Sequence, residues 1–260
     1  MKTIIANWKM NVGTRGSVAL ARGILLGIRG KTNLPEIVIC PSTVTFSEMR
    51  KVVAKSKVML GAQNVFWQQQ GAFTGEISVK MLAEHGVSHV IIGHSERRGL
   101  LGETDEMINK KVKTIVANDL KPIICVGEGI EDREAGKARE MVTYQVGAAL
   151  EGLSLRTQSE IYFAYEPVWA LSTSRGHEQE NTADAKIMHE LIRSVAMEHI
   201  KISKSKLHIL YGGSVDSQNA YSFLREDSID GVLVGGASLK LSQFLEIILA
   251  AADIIEGKQK

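Results

Sequence analysis

The chain has 260 residues, of which 44% are hydrophobic and 23% are charged, as in an ordinary soluble globular protein. Its formal net charge of +2 gives no electrostatic argument for nucleic-acid binding, which requires a concentrated basic face. The N-terminal stretch MKTIIANWKMN is too short and too polar for a signal peptide, and no apolar run is long enough to span a membrane.

Short apolar runs alternate with longer segments of helical periodicity eight times along the chain. The runs are rich in Val and Ile on successive residues, which predicts parallel strands buried on both faces. In chain order they are Thr3–Ala6, Ile37–Cys40, Val58–Ala62, His89–Gly93, Pro122–Val126, Ile161–Tyr165, Leu207–Tyr211 and Gly231–Val234. Between them, apolar residues at three- and four-residue spacing predict helices, among them Glu103–Asn118, Asp184–Ile200 and Leu241–Ile255.

Strict alternation of strands and helices predicts an α/β protein with a parallel sheet. Eight units of roughly 32 residues suit a closed (β/α)8 barrel. An open doubly wound sheet is the alternative, but ANWKMN follows the first strand where a glycine-rich dinucleotide turn would be expected. No Pro/Gly/Ser-rich linker divides the chain, so we expect one barrel domain over residues 1–260.

Catalytic groups of such barrels gather at the C-terminal ends of the strands, where the following loops converge. Lys9, His94 and Glu166 lie at the ends of strands 1, 4 and 6. Taken singly, the lysine could be solvated, the histidine could cap a helix or lie in the core, and the glutamate could form a structural ion pair. Their convergence at one rim favours a catalytic role.

Glycine-rich turns follow strands 7 and 8, in the sequences YGGS and VGGAS. Glycines let backbone N–H groups approach an anion closely, and a following helix N-terminus favours negative charge. Phosphate sites of barrels commonly lie after these two strands, although the glycines could also be simple tight turns. The pattern therefore predicts a small phosphorylated ligand.

Other apparent motifs do not hold. GKT at residues 30–32 has Leu25 where a phosphate-binding P-loop needs glycine, and HELIR from His189 has no second histidine for zinc. No histidine spacing calls for a metal. Cys40 and Cys125 are too few for a disulfide framework, so we expect a reducing, cytoplasmic location.

Eight motifs, in order along the chain, resemble the triosephosphate isomerase family from end to end. They are NWKMN (7–11), GAQN (61–64), GAFTGE (71–76), GHSERR (93–98), CVGE (125–128), YEPVWA (165–170), YGGSV (211–215) and LVGGASL (233–239).

This resemblance implies cofactor-free interconversion of dihydroxyacetone phosphate and D-glyceraldehyde 3-phosphate, a step of glycolysis and gluconeogenesis. It implies Glu166 as the base that shuttles a proton between two carbons, His94 as the electrophile and Lys9 as a positive charge near the enediolate. By the same resemblance, Asn7, Lys9, Ser172, Ser214, Gly235 and Gly236 bind substrate, and Ser95, Glu96, Cys125 and Tyr211 support the site. The chemistry is consistent, because deprotonation next to a carbonyl needs a suitable base and fixed donors for the developing oxyanion.

A homodimer is also implied by the resemblance alone. The stretch QQQGAFTGE would be a wet surface loop in a monomer. In the family this loop reaches into a second subunit, near the residues that match Lys9 and Glu96. The dimer loop residues are Phe73, Thr74, Gly75 and Glu76.

The segment after Glu166 would be a hinged lid, and it departs from the family. Where the family typically has Ala-Ile-Gly-Thr-Gly, this chain has serines at both glycine positions, and a new glycine lies in the second hinge. We expect a functional lid that closes less favourably, with the Ser172 N–H on the phosphate and the bulkier His177 disturbing a contact with Tyr211. The lid residues are Pro167, Val168, Trp169, Ala170, Leu171, Ser172, Thr173, Ser174, Arg175, Gly176 and His177.

Two other functions stay open at this point. The altered lid could admit a related short-chain ketose phosphate, such as one with four carbons. A non-catalytic phosphate-binding barrel is the second alternative, although it would be expected to lack one of Lys9, His94 and Glu166.

Overall fold

The computed structural model describes residues 2–170 and 181–258. Eight parallel strands follow one another in chain order and close, with β1 paired to β8. The prediction of a closed (β/α)8 barrel is therefore confirmed. The strands are β1 Thr3–Asn7, β2 Glu36–Cys40, β3 Val58–Ala62, β4 Val87–Ile92, β5 Lys121–Val126, β6 Ile161–Tyr165, β7 Leu207–Tyr211 and β8 Gly231–Val234.

Helices follow the strands and surround the barrel, with a pair of helices after β4 and another after β5. They are α1 Thr14–Gly27, α2 Phe46–Val53, α3 Val79–Glu84, α4 Ser95–Leu101, α5 Asp105–Ala117, α6 Ile130–Glu134, α7 Ala138–Leu150, α8 Thr182–His199, α9 Ala220–Leu224 and α10 Leu241–Gly257. Within the described ranges, none of these helices is long and apolar enough to cross a membrane.

Strands β3, β6, β7 and β8 have the predicted bounds, and the other predicted bounds differ from the observed ones by at most two residues. Strand β4 ends at Ile92 because Gly93 has a positive φ of 67°, which interrupts the extended backbone. Helix α5 begins at Asp105 rather than Glu103, because the Thr104 side chain caps it by accepting from the Met107 N–H. Helix α8 begins before Asp184 because the Asn181 side chain caps it.

The two faces of the barrel wall build two parts of the core. Strand side chains alternate in direction, so Ile5 and Asn7 point into the barrel while Ile4 and Ala6 point toward the helices. The buried cluster inside the barrel contains Ile5, Val38, Cys40, Ile91, Ile123, Cys125, Tyr162, Ala164, Leu210 and Leu233. This apolar filling separates the C-terminal mouth from the N-terminal end.

A buried polar network occupies the N-terminal end of the barrel. The Tyr162 hydroxyl lies 2.9 Å from Glu36 and 3.1 Å from Glu160, and Lys121 lies 3.1 Å from Glu160. The His208 ring stacks on Tyr162, and the fully buried His89 meets the same ring edge-on. Burial, with Lys121 nearby, lowers the pKa of His89 to about 3. This end of the barrel therefore holds its histidines neutral.

A third histidine, His189 of α8, is also fully buried, and burial lowers its pKa to about 3. In the unfolded chain the same side chain takes up a proton near pH 6.5. Protonation below that pH therefore favours the unfolded state, and His189 lowers the free energy of unfolding progressively as the pH falls from about 6.5 toward 3.

Replacing His189 by Gln is predicted to change this pH dependence. The wild type should be more stable than the variant at pH 7.5, and the gap should narrow by roughly 1–2 kcal/mol at pH 5. Urea unfolding curves at the two pH values measure the gap. A gap that stays constant between pH 7.5 and pH 5 would contradict the prediction.

Candidate active site

Glu166 and His94 lie face to face at the C-terminal mouth of the barrel. The His94 Nε2 is 3.2 Å from the Glu166 Oε1, and the backbone N–H of Ser95 donates to the Glu166 Oε2 at 2.9 Å. Both side chains are buried, with Glu166 1% and His94 7% exposed. The Glu166 Oε1 accepts no hydrogen bond from any described residue. One carboxylate oxygen is thus fixed, and the other faces the imidazole.

His94 is held by the helix that it begins. It is the N-cap of α4, and its Nδ1 accepts from the Glu96 N–H at 3.3 Å. That bond requires an unprotonated Nδ1, so the N–H of a neutral ring lies on Nε2. His94 therefore caps a helix, and the cap also orients its Nε2 toward Glu166.

Lys9 adds a cation at the same mouth. Its backbone has a positive φ of 50°, which is unusual for a residue with a Cβ. Two side chains hold this conformation, since Asn7 accepts from the Lys9 N–H at 3.1 Å and Gln63 donates to the Lys9 carbonyl at 2.9 Å. The Lys9 Nζ pairs with Glu96 at 2.6 Å, and the lysine is partly exposed.

The glycine-rich ends of β7 and β8 complete a cavity of about 310 Å³. Lys9, His94, Glu166, Asn7, Ser214, Gly235 and Gly236 line it together. A methyl group on Gly235 would contact the Lys9 side chain at 3.6 Å, so the turn lies against the lysine. A short 3-10 helix, Gly236–Leu239, follows this turn. The structure therefore brings the described part of the predicted substrate-binding set into one cavity.

Of the predicted supporting residues, Ser95 and Cys125 lie next to Glu166. Cys125 is buried, and burial together with the charge of Glu166 raises the pKa of its thiol well above the usual range. Tyr211 is buried and stacks on Phe223 with 3.9 Å between ring centroids. Glu96, predicted as a supporting residue, lies between Lys9 and His94.

The start of the predicted lid, Pro167–Trp169, forms the first hinge of that lid. It is bound to Glu128, which follows β5. The indole N–H of Trp169 donates to the buried carboxylate of Glu128 at 2.8 Å, and the Val168 N–H donates to the Glu128 carbonyl at 3.0 Å. The Arg133 guanidinium lies 3.8 Å from the centre of the Trp169 ring. Pro167 to Ala170 are thus placed by their neighbours, whereas the other predicted lid residues, Leu171 to His177 with Ser172 and Ser174, lie outside the described residues.

Sequence reasoning missed three polar residues that line the cavity, namely Asp216, Lys240 and Gln243. Lys240 and Gln243 follow the glycine turn of β8, where α10 begins. Their closeness to Gly235 along the chain was the available signal. Lys240 adds a second cation to the cavity lining. Among the described residues, no group of three or more His, Cys, Asp or Glu side chains is arranged to hold a metal ion.

The closed barrel and the polar cavity at the C-terminal ends of its strands define the class of this protein as a (β/α)8-barrel enzyme. A family model for triosephosphate isomerase matches residues 2–251. The chain belongs to the triosephosphate isomerase family, and it is an isomerase.

Individual relatives agree with the family model over nearly the full length. Triosephosphate isomerase of Alkaliphilus oremlandii is 43% identical over 249 residues, which cover 95% of this chain and 98% of the relative. That of Dictyoglomus thermophilum is 45% identical over 248 residues, with the same coverage. A crystal structure of triosephosphate isomerase from Bartonella henselae matches with a TM-score of 0.83 and 36% identity, covering 96% of this chain and 98% of that one.

A buried ion pair fixes the helix that carries Ser95. Glu103 accepts from Arg97 of α4 and, at 2.7 Å, from Lys111 of α5. Glu103 and Lys111 are both buried, and burial lowers the pKa of the lysine despite this pairing. Removing the carboxylate would leave a buried ammonium without its charge partner.

Replacing Glu103 by Gln is therefore predicted to lower the free energy of unfolding by about 3 kcal/mol or more. Glu106 to Gln is the matched control, because Glu106 pairs with Lys110 on the exposed face of α5, where screening weakens the pair. Urea unfolding of both variants measures the difference. Equal losses in the two variants would contradict this account.

Proposed function

We propose that this protein interconverts dihydroxyacetone phosphate and D-glyceraldehyde 3-phosphate without a cofactor, by proton transfer through an enediolate. One observation carries the proposal. The Glu166 Oε1 and the His94 Nε2 lie 3.2 Å apart in the wall of a cavity that also contains Lys9 and the glycines of the β7 and β8 turns. Base, proton donor, cation and anion-binding backbone are thus available to one small molecule.

The reaction moves one proton between neighbouring carbons. Glu166 removes it from the carbon beside the carbonyl, and the electron pair shifts to the carbonyl oxygen to form the enediolate. The protonated Glu166 then returns the proton to the adjacent carbon. His94 donates its Nε2–H toward the substrate oxygens and moves the hydroxyl proton between them, so the atoms balance without an oxidant or reductant.

The surroundings favour the charged transition state. The Ser95 N–H holds one oxygen of the carboxylate, which leaves the other for the substrate carbon. The Lys9 ammonium provides positive charge near the developing oxyanion, where a partly desolvated site strengthens the attraction. Because these groups are fixed before substrate binds, little reorganisation is needed during the reaction.

For the phosphate we propose Ser214, Gly235 and Gly236, with Lys9 next to Gly235 and Asn7 in the same cavity. Glycines without a Cβ let backbone N–H groups reach an anion, and the Ser238 hydroxyl holds the β8 turn by donating to the Gly235 carbonyl at 2.6 Å. From the sequence we add the N–H of Ser172, on a lid whose altered residues would make closure less favourable.

We further propose that two copies form a homodimer through the Phe73–Glu76 loop. All four loop residues are exposed, and Phe73 is 42% exposed although it is apolar. The exposed Met81 lines the same hollow as Phe73, so an apolar patch adjoins the loop. Burying this patch against a second copy would remove apolar surface from water.

We also propose that the whole chain forms a single domain and that it is located in the cytoplasm. The reaction that it catalyses would be a step of glycolysis and gluconeogenesis. The free thiols of Cys40 and Cys125 support a reducing compartment.

Replacing Glu166 by Gln tests the proposed function. The amide keeps an oxygen for the Ser95 N–H but cannot accept the carbon-bound proton, so kcat should fall by about 10²–10⁴-fold or more. Wild-type protein in D2O should place deuterium on the carbon beside the carbonyl, and the variant should not. The matched control, Glu190 to Gln, changes an exposed glutamate of α8 and should keep full activity.

Wild-type protein without turnover of either triose phosphate would refute the proposed function. Faster turnover of a four-carbon ketose phosphate than of the trioses would favour the alternative substrate instead.

The homodimer is tested by replacing Thr74 with Arg, which places a charge in the middle of the loop. Wild-type protein should have twice the chain mass of 28.4 kDa by light scattering, and the variant should shift toward 28.4 kDa. Thr143 to Arg, on the exposed face of α7, is the control and should not change the mass. A wild-type mass of one chain would rule out a stable homodimer.

A further inference from the structure

A buried amide clamps the backbone next to the base. Gln145, on α7, is 7% exposed and faces the end of β5. Its Oε1 accepts from the Gly127 N–H at 2.8 Å, and its Nε2 donates to the Gly127 carbonyl at 3.1 Å. One planar side chain thus satisfies both backbone polar groups of one residue, which fixes the orientation of that segment.

The clamped glycine lies directly against the backbone of Glu166. A methyl group on Gly127 would overlap the Glu166 carbonyl oxygen, so only glycine fits here. The preceding residue, Val126, accepts from the Glu166 N–H at 2.8 Å. The end of β5 is therefore the wall that sets the position of the Glu166 main chain.

The geometry points to Gln145 as a positioning residue for the proposed base. It touches neither the cavity nor the carboxylate, and it acts by holding Gly127 in the place that fixes Glu166. Glycine has the greatest backbone freedom of any residue, so the segment needs an external constraint. A small displacement of a catalytic group can reduce turnover strongly, by about 10²-fold for 1 Å. This inference rests on the proposed function, since it assigns the part that holds its base.

A second amide, Asn109 on the neighbouring helix α5, provides a natural comparison. The Nδ2 of Asn109 donates to the carbonyls of Ala148, Ala149 and Glu151 at 2.9–3.1 Å, at the C-terminal end of α7. Asn109 thus anchors α7 as Gln145 does, but at a point remote from Glu166. A merely structural role would make the two amides equivalent in their effect on catalysis.

The experiment replaces each amide by an apolar side chain of similar size, Gln145→Met and Asn109→Leu. For each variant, kcat and KM with glyceraldehyde 3-phosphate, the inhibition constant of inorganic phosphate, and Tm are measured beside the wild type. Gln145→Met should lower kcat by about 10- to 100-fold, with KM and the phosphate inhibition constant within about twofold, as expected if the phosphate region is untouched. Asn109→Leu should lower Tm while leaving kcat near the wild-type value.

Two outcomes would overturn the inference. In one, Gln145→Met lowers only Tm and retains kcat. In the other, the inhibition constant of phosphate rises by the same factor as kcat falls, which indicates that the whole site has become less ordered. If the methionine variant does not fold, Gln145→Asn, which keeps the amide but shortens its reach by one methylene, is judged by the same numbers. Wild-type turnover measured in parallel separates these outcomes from a failure of the proposed function, which would leave no activity in any protein.

Discussion

The site depends on one hydrogen bond between distant parts of the chain, from the Ser95 N–H to the Glu166 carboxylate. It joins the first turn of α4 to the end of β6, across 71 positions of sequence. A backbone N–H at a helix start has no partner within its own helix, so a carboxylate satisfies it and gains favourable electrostatics. The same turn directs the His94 Nε2 toward Glu166. Glu166 and His94, the proposed base and proton donor, are thus positioned by a single local structure.

Close contacts between backbone segments fix neighbouring parts of the barrel relative to one another. Glycine lies where β5 meets Glu166 and where β8 meets β1, because a methyl group on Gly127 or Gly231 would overlap a neighbouring carbonyl. Each of these contacts leaves the facing backbone little room to move. The Gln145 amide adds the hydrogen bonds that keep one of them in place. The Gly127 contact helps to fix the mouth of the barrel, whereas the Gly231 contact joins the first residues of β8 and β1 at the opposite end.

The two ends of the barrel interior are polar in different ways, with an apolar filling between them. At the C-terminal mouth, Lys9 is partly exposed and Glu166 keeps one oxygen without a hydrogen-bond partner among the described residues, which leaves capacity for a ligand. At the N-terminal end, Glu36 and Glu160 share the Tyr162 hydroxyl and the Lys121 ammonium. That network satisfies its own carboxylates, so it has the features of a structural element. The same types of residue therefore serve different purposes at the two ends.

The alternation of eight strands and helices was predictable from the sequence, because apolar periodicity reflects burial directly. It also placed Lys9, His94 and Glu166 at strand ends, and closure of the barrel brings such ends together. Three contacts could be seen only in the folded chain: the Ser95 N–H holds the Glu166 carboxylate, Asn7 and Gln63 hold Lys9 at a positive φ, and Gln145 clamps Gly127. These contacts join residues through backbone atoms, whose chemistry is the same at every position. The pattern of side chains along the sequence therefore does not indicate which backbone group a side chain will bind. These hydrogen bonds can be identified only in the folded structure.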